Sequence, residues 1–114
     1  ACHMLLSPLI WLFSCLLPAI SEPLYFRNGS FKILQFADLH YGASLYDDIT
    51  AEQQRSLLSI ENPDLVVLTG DNIAPNGPLR YKNCLRDGGS SGCWHAMVQP
   101  MVKLGYRWAA IFGG

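Results

Sequence analysis

Three residues of this 114-residue chain have the types and spacing expected of metal ligands. Asp38 and His40 directly follow the apolar segment 31–37, and Asp71 follows a second apolar segment, 64–69. If both segments are neighbouring strands of a parallel sheet, about 4.8 Å apart, their carboxyl ends share one edge. Two carboxylates and one imidazole suit zinc, iron or manganese better than calcium. The spacing therefore predicts a metal site at the carboxyl edge of a parallel sheet.

Three short apolar runs predict the strands that must position these ligands. They span Phe31–Ala37, Asp64–Thr69 and Trp108–Phe112. The second run is nearly continuous in apolar character, which is typical of a strand covered on both faces. Helical patterns separate the runs, giving the order strand, helix, strand, helix, strand. Such alternation predicts a parallel β-α-β-α-β unit and hence an α/β layered fold.

Local signals place the two helices between the strands. The first is predicted from Thr50, as N-cap of a capping box completed by Gln53, to Glu61, where Asn62-Pro63 ends it.

The second helix is predicted over Cys93–Leu104, bent or started by Pro100 and closed by Gly105. One face carries three apolar residues: Met97, Met101 and Leu104. The stretch Asn72–Gly92 is rich in Gly and Pro and shows no periodicity, so we predict a long loop leaving the end of the second strand. Ligands bind at this position in open α/β sheets.

The first 21 residues differ chemically from the rest of the chain. They contain no Asp, Glu, Lys or Arg, and Met4–Ile20 is an apolar run interrupted by two serines and two prolines. Ala19-Ile20-Ser21 has small residues at alternate positions, so we predict a cleaved signal peptide at 1–21 and a secreted or secretory-pathway protein. A signal-anchored membrane protein is the alternative, although the run is just short of the roughly 18 apolar residues that a spanning helix needs.

Removal of this segment leaves two cysteines, Cys84 and Cys93. In an oxidising compartment they can form a disulfide across the flexible stretch between them, and two unpaired thiols are the alternative. A zinc site formed with His95 is disfavoured, because the spacing fits no common zinc finger and a fourth ligand is missing. The net charge of −1, with mixed signs, predicts no nucleic-acid partner and no stable membrane partner.

Two segments resemble the opening of the calcineurin-like metallophosphoesterases, most closely the single-domain branch related to purple acid phosphatases. They are Lys32–Gly42 and Pro63–Asp71. The segment 108–113 resembles the approach to that family's third motif, Gly-Asn-His-Asp or Gly-Asn-His-Glu. The resemblance covers roughly Phe31 to Gly113, which implies that residues 22–114 form the N-terminal part of such a domain.

The resemblance implies a role for each candidate ligand. Asp38 and His40 correspond to ligands of the first metal ion, and Asp71 corresponds to the carboxylate that bridges two ions of iron, zinc or manganese. The implied reaction is hydrolysis of a phosphate-ester substrate by two ions about 3.5 to 4 Å apart. Ala74 occupies the position of the tyrosine ligand of the purple enzymes, so we expect no tyrosinate colour. Tyr41 does not match that ligand position.

The sequence ends at Gly113-Gly114, where the family pattern would continue into the third motif. The asparagine of the second metal, the leaving-group histidine and the later histidine motifs would follow this point. We therefore expect this segment alone to be inactive and to contain no catalytic residue beyond the metal ligands. The alternative is a non-catalytic secreted α/β domain that binds a partner or a single metal through the same three residues.

Other polar residues are assigned to the surface or to packing. Arg80, Lys82 and Arg86 pair well with phosphate, but a solvated loop is the favoured interpretation. His95 lacks partner ligands at a usable spacing and is interpreted as structural.

Overall fold

The computed structural model describes residues 22–43, 46–74 and 84–111, and the predicted signal peptide at 1–21 lies outside them. Three strands and two helices alternate in this part of the chain: β1 (Ile33–Phe36), α1 (Asp47–Glu61), β2 (Leu65–Leu68), α2 (Cys84–Leu104) and β3 (Trp108–Ala110). The predicted α/β order is confirmed. Neither helix of this described part has the length and apolar character needed to cross a membrane.

The sheet is parallel, with β2 between β1 and β3. Phe36 pairs with Leu68, and Leu68 pairs with Ala110, so the strands end at one common edge. The strands are shorter than predicted. For example, β1 begins at Ile33 and not at Phe31. The N–H of Lys32, just before it, donates to a side chain, Oδ2 of Asp64, at 2.8 Å.

The core lies between one face of the sheet and the two helices. Its members are the buried residues Phe36, Val66 and Leu68 of the strands, Leu58 of α1, and Met97 and Met101 of α2. The other face of β2 is only half-buried, at Leu65 and Val67, so the prediction of a strand covered on both faces is wrong for the described residues.

The predicted capping box of α1 is wrong. The helix begins at Asp47, after the N-cap residue Tyr46, and no side chain caps it. Thr50 lies inside the first turn and donates its N–H to the carbonyl of Tyr46 at 2.9 Å. The predicted end is confirmed, because Asn62 adopts a left-handed conformation with φ 44° directly before Pro63.

The helix α2 begins at Cys84, inside the stretch that was predicted to be a loop. Non-helical backbone angles at Gly88 and Gly89 divide it into two helical pieces, so the glycine signal marks a break within the element. Pro100 lies inside the second piece and does not start it. The end at Gly105, with φ 75°, is as predicted.

The predicted apolar face of α2 is correct for two of its three residues. Met97 and Met101 are fully buried, whereas Leu104 in the last turn is 46% exposed.

Candidate metal centre

The three candidate ligands lie together at the carboxyl edge of the sheet. Asp38, His40 and Asp71 each offer a ligand atom, and these atoms are all within 4.8 Å of one another. The Nε2 atom of His40 lies 2.9 Å from the Oδ2 atom of Asp71. All three residues are exposed. The candidate ligand atoms are therefore accessible to solvent in the part of the chain that the structure describes.

Backbone pairing beyond the strands brings these ligands together. The N–H of Asp38 donates to the carbonyl of Gly70 at 3.1 Å, and the N–H of Tyr41 donates to the carbonyl of Asn72 at 2.9 Å. A parallel bridge then joins Tyr41 to Ile73. The chain after β1 thus runs beside the chain after β2, and each carries its ligands past the end of the sheet.

All three candidate ligands have left-handed backbone conformations. Their φ angles are 54° at Asp38, 51° at His40 and 46° at Asp71. In the described part of the chain only two other non-glycine residues have positive φ, Asn28 and Asn62. Such conformations are uncommon in residues with side chains, and residues in sparsely populated conformations cluster at functional sites. The concentration of three of them in one cluster favours a ligand-binding role over an ordinary turn.

The residue after His40 is held in the protein core. Tyr41 is 1% exposed, and its hydroxyl donates to Oε1 of Gln54 on α1. The Nε2 atom of Gln54 in turn donates to the carbonyl of Met97 on α2 at 3.4 Å. Residues 38–42, which follow β1 and include Asp38 and His40, are called the ligand turn below. Tyr41 therefore has a packing role that links the ligand turn to both helices. No sequence pattern singled out Gln54, although its position four residues before the core residue Leu58 puts it on the same helix face.

Burial raises the pKa of the Tyr41 phenol above its ordinary value of 10.0, and the negative charge of Asp47 acts in the same direction. As the pH rises, the phenol proton of Tyr41 leaves the unfolded chain at a lower pH than the folded chain. The contribution of this group to stability is therefore fully present below pH 10 and is lost as the pH rises toward the folded-state pKa. We predict that the free energy of unfolding falls above pH 10 by up to about 1.4 kcal/mol per pH unit from this group.

The measurement is a set of urea unfolding curves between pH 9 and pH 11.5 for the wild-type protein and for Tyr41→Phe. Above pH 10, the free energy of unfolding should fall more steeply with pH for the wild-type protein than for Tyr41→Phe. Parallel pH profiles would contradict the assignment of this titration to Tyr41.

Next to Asp71, Asn72 is 7% exposed, and its Oδ1 atom is the one buried side-chain oxygen or nitrogen of the described residues without a hydrogen-bond partner. Native proteins rarely leave such an acceptor unpaired.

Ala74, at the position of the missing tyrosine, donates its N–H to the carbonyl of Tyr41 at 2.9 Å. Ala74 therefore contributes to the backbone pairing below the site and offers no side-chain ligand.

The ligand group contains none of the remaining candidate residues that the structure describes. Cys84 and Cys93 are joined by a disulfide. His95 is exposed on α2, and its Nε2 atom lies 3.2 Å from Nε2 of Gln99. Arg80 and Lys82 lie outside the described residues.

A comparison with protein families matches residues 31–113 to the family described as calcineurin-like phosphoesterase. Among curated proteins, "Probable inactive purple acid phosphatase 28" of Arabidopsis thaliana is 31% identical over 107 residues, with 80% of this chain and 25% of that protein covered. "Probable inactive purple acid phosphatase 29" of the same plant is 32% identical over 101 residues, with 75% of this chain and 24% of that protein covered.

"Protein SIA1" of Kluyveromyces lactis is 29% identical over 113 residues, with 85% of this chain and 18% of that protein covered. No solved structure matches the chain. The chain spans about a quarter of the length of the plant relatives that it matches.

Proposed function

Because this chain belongs to the calcineurin-like phosphoesterase family, in the branch related to purple acid phosphatases, we propose that the whole protein hydrolyses phosphate esters. In this proposal the segment described above supplies metal ligands, with Asp38 and His40 at the first ion and Asp71 shared between two ions. The substrate class follows from the family, and the proposed ions are iron, zinc or manganese.

The observation that carries this proposal is the convergence of two carboxylates and an imidazole at the carboxyl edge of the sheet. Zinc binds such ligand atoms at about 2.0 to 2.2 Å. Donors that already lie within 4.8 Å of one another need only rotations of exposed side chains to reach a common ion. The donor chemistry of this cluster therefore fits a metal of this class.

Bound metal ions supply Lewis-acid chemistry, because they polarise a phosphate oxygen and make a bound water more acidic. The protein residues hold and orient the ligand atoms. Asp71 has two carboxylate oxygens, and only Oδ2 is hydrogen-bonded to His40 in the structure, so the residue has the acceptor capacity to serve two ion positions. The backbone pairing after β1 and β2 fixes where these side chains start.

The experiment is a hydrolysis assay on the whole protein with an aryl phosphate as substrate. We predict activity that is lost on chelation, restored by Mn²⁺ or Zn²⁺, and reduced at least about 100-fold in His40→Ala, since losing even an outer-shell partner costs roughly 10- to 100-fold. His95→Ala is the matched control, because it removes an exposed imidazole outside the ligand cluster. Equal turnover by His40→Ala and His95→Ala would contradict the proposal.

A second candidate function is a non-catalytic domain that binds a metal ion or a partner through the same three residues. The word "inactive" in the names of the two Arabidopsis relatives favours it. A Mn²⁺-binding measurement beside the hydrolysis assay separates the two candidates. Metal binding that depends on His40, without any hydrolysis, would support the second.

For the protein's location we propose the secretory pathway, with residues 1–21 as a signal peptide and residues 22–114 as part of the phosphoesterase domain. The disulfide between Cys84 and Cys93 supports this proposal, because disulfides persist in oxidising compartments. N-terminal sequencing of the secreted protein should show a start at Glu22. A start within residues 1–20 would contradict the predicted cleavage.

A further inference from the structure

We infer that Asp47 is a positioning residue for the metal centre, because its carboxylate links the turn after His40 to the disulfide-bonded start of α2. The metal part of this inference rests on the proposed function. The link itself is visible without any metal: Oδ1 of Asp47 accepts the N–H of Gly42 at 3.0 Å, and Oδ2 accepts the N–H of Cys84 at 3.0 Å.

Each oxygen of the Asp47 carboxylate thus accepts a hydrogen bond from the backbone of a different segment. Gly42 is two residues after His40 and belongs to the ligand turn. Cys84 is the first residue of α2 and is 37 positions from Asp47 in sequence. The first N–H groups of a helix lack partners within the helix and favour a negative charge, so this bond also caps α2. Hydrogen bonds to a charged acceptor are stronger than those between neutral groups.

Close packing supports the same link. Gly42 has φ +92°, and a Cβ atom at this position would lie 2.8 Å from Cγ of Leu85 and 3.1 Å from Sγ of Cys93. The ligand turn therefore lies directly against the disulfide and the first turn of α2. The preceding residue, Tyr41, is buried and hydrogen-bonded to Gln54 on α1. The backbone after His40 is thus held by contacts with both helices.

The neighbouring residue Asp48 shows that this is a specific property of Asp47. Both residues lie in the first turn of α1, where acidic side chains are favourable. Asp48 is exposed, whereas Asp47 is half-buried and directs its two oxygens to other segments. A general helix-end effect would be shared by the two residues, but the bridge between segments is made by Asp47.

This difference defines the experiment, in which Asp47→Asn and Asp48→Asn are compared in the whole protein with the disulfide intact. Each change removes one negative charge from the same helical turn. Only Asp47→Asn removes one of the two carboxylate oxygens that accept the N–H groups of Gly42 and Cys84, since an amide has a single oxygen. We expect Mn²⁺ to bind roughly 10-fold more weakly to Asp47→Asn, measured by electron paramagnetic resonance, and within about twofold of wild type to Asp48→Asn.

A readout without metal separates this inference from the proposed function. In metal-free protein labelled with ¹⁵N-histidine, the His40 ring resonances should shift in Asp47→Asn and stay unchanged in Asp48→Asn. If the shift occurs but the wild-type protein binds no Mn²⁺, the positioning link stands and the proposed metal function fails. Unchanged His40 resonances would overturn the inference, and so would equal Mn²⁺ affinities of the two variants when the wild-type protein does bind Mn²⁺.

A second route covers the case in which Asp47→Asn does not fold. The double variant Cys84→Ser/Cys93→Ser keeps the carboxylate but releases the start of α2 from Cys93. It should also weaken Mn²⁺ binding and shift the His40 resonances. Wild-type values for both quantities would count against the link.

Discussion

Substituting Asp71 with Asn should weaken Mn²⁺ binding by more than about 100-fold and abolish metal-dependent hydrolysis by the whole protein. Loss of an outer-shell hydrogen bond alone costs roughly 10- to 100-fold in metal affinity or activity, and Asp71 is assigned as a direct ligand. Asn has nearly the same shape, so the loss would report the missing charge and the missing second oxygen. The affinity is measured by Mn²⁺ electron paramagnetic resonance, and the turnover with an aryl phosphate.

The matched control for this prediction is Glu52→Gln, which removes one carboxylate from the exposed surface of α1. Glu52 is paired with Arg55 at 2.7 Å and does not belong to the ligand group. It should bind Mn²⁺ as the wild-type protein does. Wild-type turnover in Asp71→Asn would refute the assignment of Asp71 as the bridging carboxylate.

Replacing Gly42 with Ala should destabilise the fold by about 2 to 5 kcal/mol, combining roughly 1 to 2 kcal/mol for the backbone conformation with about 1 to 3 kcal/mol for overpacking. The added Cβ atom would lie 2.8 Å from Cγ of Leu85 and 3.1 Å from Sγ of Cys93. Because Sγ of Cys93 belongs to a disulfide, it has little freedom to move. Urea unfolding at neutral pH measures the change.

The control for Gly42→Ala is Gly105→Ala. Gly105 also has positive φ, at 75°, but no heavy atom lies within 4 Å of its would-be Cβ atom. Gly105→Ala should therefore show only the backbone effect, about 1 to 2 kcal/mol. Equal losses of stability in the two variants would mean that the contact with Leu85 and the disulfide does not restrict the ligand turn.

The sheet and the candidate ligands were predictable from the sequence because their signals are local. The strands of a parallel sheet give short apolar runs in the sequence, and residues directly after neighbouring runs lie at one edge of the sheet. Asp38 and Asp71 therefore stand out against the apolar residues before them. The left-handed backbone at these positions gave no comparable signal, because positive φ is uncommon for residues other than glycine, even though Asp is several-fold enriched there.

The start of each helix was not predictable because contacts between distant segments decide it. Thr50 and Gln53 match the sequence pattern of a capping box, but α1 begins one turn earlier, at Asp47, and no capping box forms. The carboxylate of Asp47 then accepts the N–H of Cys84, 37 positions away, at the first residue of α2. A glycine-rich composition predicted a loop there, and tertiary contacts with a disulfide produce helical backbone instead.

The buried pair Tyr41 and Gln54 shows the same limit. The sequence places a tyrosine beside a candidate ligand but does not show which residues it contacts. Only the fold brings Gln54 of α1 to the Tyr41 hydroxyl. The convergence of the three candidate ligands was therefore predictable from the sequence, whereas the groups that hold the ligand turn were not.

The most direct test of the metal centre is a crystal structure of the protein grown with Mn²⁺, with anomalous diffraction used to locate the ion. The account predicts a peak at roughly 2.0 to 2.3 Å from a side-chain atom of each of Asp38, His40 and Asp71, near the ligand distances known for zinc. A peak elsewhere, or side chains of these three residues turned away from one another, would contradict it.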